Sequence, residues 1–175
     1  MHNGFWYTYD DAGPGGSSLV TPEPGKPFIM AKPGHDGSGE FACMKGKVTT
    51  QYQYGFIGMG YYLSPSDVRK PFNLRDKSGI RFWHRGDNKK YRVKLVSVHP
   101  DFSAGDGDNQ FGYDFHTDRE WAQVEIRFCD LSQQPGWGSR VDMKDALAAI
   151  KEIQFCTLGQ PHESVELCVD GIEFF

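Results

Sequence analysis

The sequence predicts an all-β protein built as a two-sheet β-sandwich. Three observations carry the prediction. Short strand-like runs recur along the 175 residues. Clusters of Gly, Pro, Asp and Ser punctuate them at short intervals, where turns are expected. Within most runs apolar and polar residues alternate, so each strand has one apolar and one wet face, as in a sandwich whose sheets are solvated outside.

The elements follow in order. Phe5–Asp10 (FWYTYD) and Pro27–Lys32 are separated by GPGGSS and PEPGKP. After KPGHDGSG comes Glu40–Thr50, then Phe56–Leu63. Gly79–Arg85 sets Ile80 and Phe82 against Arg81, Trp83 and Arg85. Tyr91–His99 sets Val93 and Leu95 against Arg92, Lys94 and Val96. Gln110–His116 sets Phe111, Tyr113 and Phe115 against Gln110, Gly112, Asp114 and His116. Trp121–Phe128 and Ile150–Thr157 alternate in the same way, the latter placing Glu152 and Gln154 opposite Ile153 and Phe155. A short helix is expected over Val141–Ala149. Ser164–Phe175 is the last strand. No internal repeat and no long linker divides the chain, so residues 1–175 are expected to form a single domain.

Composition excludes several functions. The net charge of -4 argues against nucleic acid as a partner, because phosphate binding needs a basic surface. No apolar run is long enough for a membrane span. The opening MHNGFWYTYDD lacks the basic-then-apolar order of a signal peptide, so an exported protein would carry its leader outside this segment. Cys43, Cys129, Cys156 and Cys168 include no C-x-x-C pair. They permit zero, one or two disulfides, with buried free thiols the ordinary alternative.

The stretch TTQYQYGFIGMGYYL, Thr49 to Leu63, carries the first functional signal. Alternation puts Gly58, Gly60 and Tyr62 on one face and Met59, Tyr61 and Leu63 on the other. Repeated glycine inside a strand marks a place where something approaches the backbone closely. With Tyr52, Tyr54, Tyr61 and Tyr62 around it, that face suits a flat, polar, extended ligand such as a sugar chain. It equally suits a strand covered by a neighbouring segment.

Several segments together carry a resemblance: WYTYDD; SGEFACMKGKVTT running into YGFIGMGYYL; GIRFWHRGD followed by YRVKL; FGYDFHTDREWAQVEIRFCDLSQQPGWG; IKEIQF; and VELCVDGIEF. Their order resembles the galactose-binding-like β-jelly-roll modules of bacterial polysaccharide-degrading enzymes, most of all carbohydrate-binding module family 11. The same fold serves the complex I intermediate-associated protein 30 group, and a resemblance to that group would imply a role other than sugar binding. The resemblance to the modules implies a non-catalytic, secreted or cell-surface unit, monomeric and covalently attached to a glycoside hydrolase in a cellulase-like enzyme. It implies a β-glucan-type plant polysaccharide as ligand, a concave sheet as the platform, and structural calcium.

In a jelly roll, strands alternate between sheets. One sheet then takes Glu40–Thr50, Ser164–Phe175, Gly79–Arg85 and Trp121–Phe128. The other takes Phe56–Leu63, Ile150–Thr157, Tyr91–His99 and Gln110–His116, and is the expected platform. Its outward residues Gly60, Tyr62, Arg92, Lys94, Gln110, Asp114, His116, Glu152 and Gln154 are rich in planar polar groups able to pair with adjacent sugar hydroxyls. Tyrosine rings stack on pyranose faces with few rotors to freeze. Tyr52, Tyr54 and Trp137 are expected at the rim. Trp83 is expected to pack beneath the N-terminal strand, and Cys43 and Cys168 to lie close enough to bond.

Asp10, Asp11 and Asp170 are the expected calcium ligands, on the reasoning that first and last strands often neighbour and that calcium wants several hard oxygens. Asp106, Asp108 and Asn109 are a weaker candidate, lacking the glutamate of an EF-hand. Two other functions fit the same fold. Asp114 and Glu152 could serve as the carboxylate pair of a glycoside hydrolase or lyase, or the chain could be a protein-interaction module.

Overall fold

The computed structural model describes residues 4–65, 68, 70–102 and 109–175. Asp106 and Asp108 lie outside them. Ten strands run in the order β1 (Phe5–Asp10), β2 (Leu19–Thr21), β3 (Ala42–Val48), β4 (Ile57–Tyr62), β5 (Gly79–Gly86), β6 (Lys90–Ser97), β7 (Phe111–His116), β8 (Ala122–Arg127), β9 (Ile150–Cys156) and β10 (His162–Phe174). The helix α1 (Met143–Leu147) starts at Asp142, whose side chain accepts from the Lys144 amide as an N-cap should.

The strands form two five-stranded antiparallel sheets. The front sheet has the order β1-β4-β9-β6-β7 and the back sheet β2-β3-β10-β5-β8. This is the sandwich expected from alternation, and all eight allotted strands fall in their expected sheets. The inward rows fill the space between them. Ile57, Met59, Tyr91, Leu95, Ile153 and Phe155 of the front sheet meet Met44, Ile80, Phe82, Ile126 and Leu167 of the back sheet, all essentially without solvent contact. Phe82 stands edge-on to Phe115 and Phe155 at centroid distances of 5.3 and 5.1 Å, a favoured aromatic geometry.

Two element assignments change. Pro27–Lys32 is no strand; only Ala31 bridges, to Phe41. Pro27 and Pro33 flank the segment without amide donors, and an interrupted ladder does not hold. In its place Leu19–Thr21 pairs with β3 as an edge strand, three residues being too short to show a period.

Cys43 and Cys168 are direct cross-strand partners of β3 and β10 and form a disulfide, with Cα atoms 4.1 Å apart. Cys129 is a free exposed thiol and Cys156 a free buried one. The outer face of the back sheet carries ion pairs such as Arg81–Glu173 and Lys45–Glu166, an ordinary solvated surface. No helix among the described residues is long and apolar enough to cross a membrane.

Candidate binding face on the front sheet

The registers of the front sheet arrange its outward residues in three rows. The first is Phe5, Tyr62, Glu152 and Val96. The second is Tyr7, Gly60, Gln154, Lys94 and Gly112; the third is Tyr9, Gly58, Cys156, Arg92 and Asp114. The sheet thus brings Gly60, Tyr62, Arg92, Lys94, Asp114, Glu152 and Gln154 onto one face, as the strand pattern predicts.

The glycines have a different role from the one expected. A Cβ on Gly60 would lie 2.5 Å from ring atoms of Tyr7, and one on Gly58 2.3 Å from the Tyr9 ring. The close approach is made by β1, whose tyrosines lie across β4. Gly60 is therefore roofed by Tyr7 and offers no backbone to a sugar ring. The reason is register: Tyr7 and Tyr9 stand two apart on β1, directly opposite the two glycines. The missed signal was the matching period of YTY and GMG.

The two tyrosines tie the face together. Tyr7 Oη donates to Glu152 Oε2 at 2.7 Å and accepts from Gln154 Nε2 at 3.0 Å. Gln154 Nε2 also reaches Glu152 Oε1 at 3.2 Å, and Tyr9 Oη reaches Gln154 Oε1 at 3.4 Å. Lys151 Nζ adds a contact to Glu152 at 3.3 Å. Burial, and then the Glu152 charge, push the Tyr7 hydroxyl far above its ordinary value. Burial does the same to Tyr9, aided by its neighbour Cys156. Both therefore stay protonated donors. Tyr62 stacks on Phe5 at 4.7 Å and lies 5.1 Å from Tyr7, so an aromatic wall stands over the β1–β4 end.

On the other half, Arg92 is almost fully buried. Its guanidinium lies over Gly112, with Nε 2.7 Å from where a Cβ would be. It bonds Asp114 through Nη1 and the Ser132 carbonyl through Nη2. Arg92 thus positions Asp114 and leaves that exposed carboxylate as the group available to a ligand. Lys94 sits half-buried in the middle row. His116 is exposed at the end of β7, its Nδ1 beside the Thr117 carbonyl.

Other expected positions fall at the margins or away from the face. Gln110 is buried, and its Oε1 accepts from the Ser97 amide where β6 bulges, so it is a structural amide and not a platform residue. Tyr52 and Tyr54 meet edge to face at 6.0 Å in the turn before β4, at the Tyr9 end of the face. Trp137 is 42% exposed in a loop fixed from below. Asn109 Nδ2 donates to the Gln134 and Trp137 carbonyls, and Gln133 Nε2 to the Asn109 and Ser139 carbonyls. Because Ser132 bridges Gly112, this loop continues the sheet beyond β7.

The expected calcium ligands do not converge. Asp10 ends β1 in the front sheet, whereas Asp170 lies on β10 in the back sheet. Asp11 is buried and its oxygens accept from Ser18 N, Ser18 Oγ and Phe56 N, so it staples two loops. Asp10 Oδ1 accepts from the Ala12 amide. Asp170 accepts from His35 N, the His35 ring and Gly171 N. Asp11 and Asp170, surrounded by N–H and O–H donors, do not fit a calcium ion, which needs free oxygens, and Asp10 stands apart from Asp170. First and last strands do not neighbour here because β1 joins the sheet opposite to β10. For the same reason Trp83 is not covered by β1; His35 stacks on it at 4.6 Å.

Comparison with known proteins agrees with the fold. Endoglucanase 3 of Fibrobacter succinogenes is 26% identical over 155 residues, which is 82% of this chain and 21% of that protein. The chain therefore spans about a fifth of the length of that relative. A family 11 carbohydrate-binding module from Clostridium thermocellum, solved with a β-1,3-1,4-mixed-linked tetrasaccharide, superposes with a TM-score of 0.62 at 16% identity, covering 100% of this chain and 89% of that one. A family 30 carbohydrate-binding module superposes with a TM-score of 0.60 at 10% identity, covering 97% and 92%. At such identities the two structures establish the jelly-roll fold. Residues 2–169 match the family described as Complex I intermediate-associated protein 30 (CIA30), and the chain belongs to that family.

Proposed function

We propose that this chain is a non-catalytic carbohydrate-binding module that holds an extended polysaccharide of the β-glucan class on its front sheet. It would tether an attached glycoside hydrolase to that polysaccharide outside the cell. The observation that carries the reading is the front face itself, where planar polar groups are held rigid in three registered rows between aromatic side chains at two margins. Preorganised groups lose little entropy on binding, which matters because sugar hydroxyls exchange water bonds for protein bonds at small net gain.

Three further facts support it. The relative from Fibrobacter succinogenes is an endoglucanase of which this chain matches a fifth. The family 11 module of the same fold was solved with a mixed-linkage tetrasaccharide. The Cys43–Cys168 disulfide suits an oxidising compartment. The reading includes no chemical step. Glu152 has both oxygens engaged by Tyr7, Gln154 and Lys151, and Asp114 is paired with Arg92. Neither is placed as a free acid or base.

The family description favours a second reading, a protein-docking module used in assembly of a larger complex. One experiment separates them. A glycan array is probed with the purified chain, and reducing sugar is assayed in parallel. Binding to mixed-linkage β-glucan without sugar release is the expected result. Release of sugar overturns the non-catalytic reading, and no binding to any glycan leaves the docking module. Trp137→Ala is expected to weaken glycan binding about tenfold with an unchanged melting temperature.

A further inference from the structure

The charges on the front face do not balance, and the imbalance sits at its centre. The cations that meet its two carboxylates are matched. Arg92 is held by Asp114 and the Ser132 carbonyl, and Lys151 by Glu152. Lys94 has no such partner. Its ammonium makes no hydrogen bond or ion pair with the described residues, although the residue is half-buried in the middle of the second row. Its cross-strand neighbours are Gln154 and Gly112. Gln154 is already committed to Tyr7, Tyr9 and Glu152. Above Gly112 lies the Arg92 guanidinium, a second positive group beside Lys94. A compact ammonium with no acidic partner among the described residues, on the same face as another cation, is a poor arrangement in the free protein, and an incoming anion improves it.

We propose that Lys94 is an anion-reading position, and that the preferred polysaccharide carries an acidic group, a carboxylate or a sulfate ester, on the sugar seated over the second row. The inference rests on the polysaccharide reading above and deepens it. The tyrosine wall and Asp114 would hold the neutral part of the chain. Lys94 supplies three donors and a point charge without geometric demand, so both acidic groups suit it. Asp114, facing the solvent one row away, sets the limit: the acidic group must lie over Gly112 and Gln154, away from that carboxylate.

The test compares three ligands of one backbone by titration calorimetry at low and high salt: mixed-linkage β-glucan, the same glucan carboxylated at C6, and the same glucan sulfated at C6. The expected result is about a five- to tenfold tighter binding of at least one acidic form at low salt, shrinking as salt screens the contact. In Lys94→Met the ratio of acidic to neutral affinity falls to about one. Equal binding of all three ligands, or a preference that persists in Lys94→Met, overturns the inference and leaves the polysaccharide reading standing. Failure of all three to bind overturns both. The two carry the same charge on planar and tetrahedral groups, so a gain for one alone identifies which acidic group the site takes.

Discussion

Gly60→Ala tests the assignment of the tyrosine wall. A Cβ at position 60 would sit 2.5 Å from Cε1, Cζ and Oη of Tyr7, closer than any real contact. The ring must move, yet its hydroxyl is the donor to the buried Glu152 carboxylate and the acceptor for Gln154. Losing a hydrogen bond to a charged group costs about 1.5–3 kcal/mol. Replacing glycine within a strand returns about 0.5–1 kcal/mol, since alanine loses less backbone freedom on folding. The net loss is about 0.5–2.5 kcal/mol, or roughly 1–10 °C in melting temperature for a chain of this size. The decisive arm is the double-mutant cycle. In a Tyr7→Ala background the space above Gly60 is open, so Gly60→Ala should raise the melting temperature by a degree or two. That reversal of sign is the coupling between the two positions. Thermal unfolding followed by circular dichroism on the four proteins is sufficient. If Gly60→Ala costs the same with and without the Tyr7 ring, something other than Tyr7 occupies that space and the reasoning fails.

Other outcomes follow from the same structure. His84 is buried between Phe82 and Phe115 with Nδ1 unpartnered among the described residues, and burial holds its pKa below the ordinary 6.5. The unfolded chain therefore binds the proton first, and stability falls as pH drops below about 6.5 toward the folded pKa. His162, less buried, moves the same way and adds to the slope. The melting temperature of His84→Phe should fall less between pH 7 and pH 5 than that of the parent; an identical slope would exclude His84 as a source. Alkylation without reduction, read by mass spectrometry, should label Cys129 alone in the native protein and add Cys156 in denaturant, leaving Cys43 and Cys168 unlabelled. Cys43→Ala with Cys168→Ala should lower stability by about 2–4 kcal/mol in chemical denaturation. Arg92→Met should weaken glycan binding and also loosen the edge at Ser132, seen as faster amide exchange at Gly112 and Ser132, which bond each other.

Much of the architecture was legible in the residues alone because alternation is a local property. A strand with one wet face shows its period whatever it pairs with. That is why the strand period alone puts Arg92, Lys94, Asp114, Glu152 and Gln154 on one face, and why Val141–Ala149 reads as a short helix. Leu19–Thr21 was too short for a period, and the Pro27–Lys32 run was apolar enough to mislead.

What only the tertiary structure decided is which surfaces meet. The glycines of β4 announced a close approach, but the approaching groups are Tyr7 and Tyr9 of β1; the matching periods of the two segments are compatible with that pairing, and only the strand order brings them together. The same pairing put Asp10 in the front sheet, with Asp11 in the loop after it, and left both in a different sheet layer from Asp170 on β10, so the three expected calcium ligands do not converge. Gln110 reads as a wet strand residue by period and is a buried amide because β6 bulges beside it. Sequence determined the faces, because a side chain's direction depends on its own backbone. The fold determined the partners, because strand order and register depend on the whole chain.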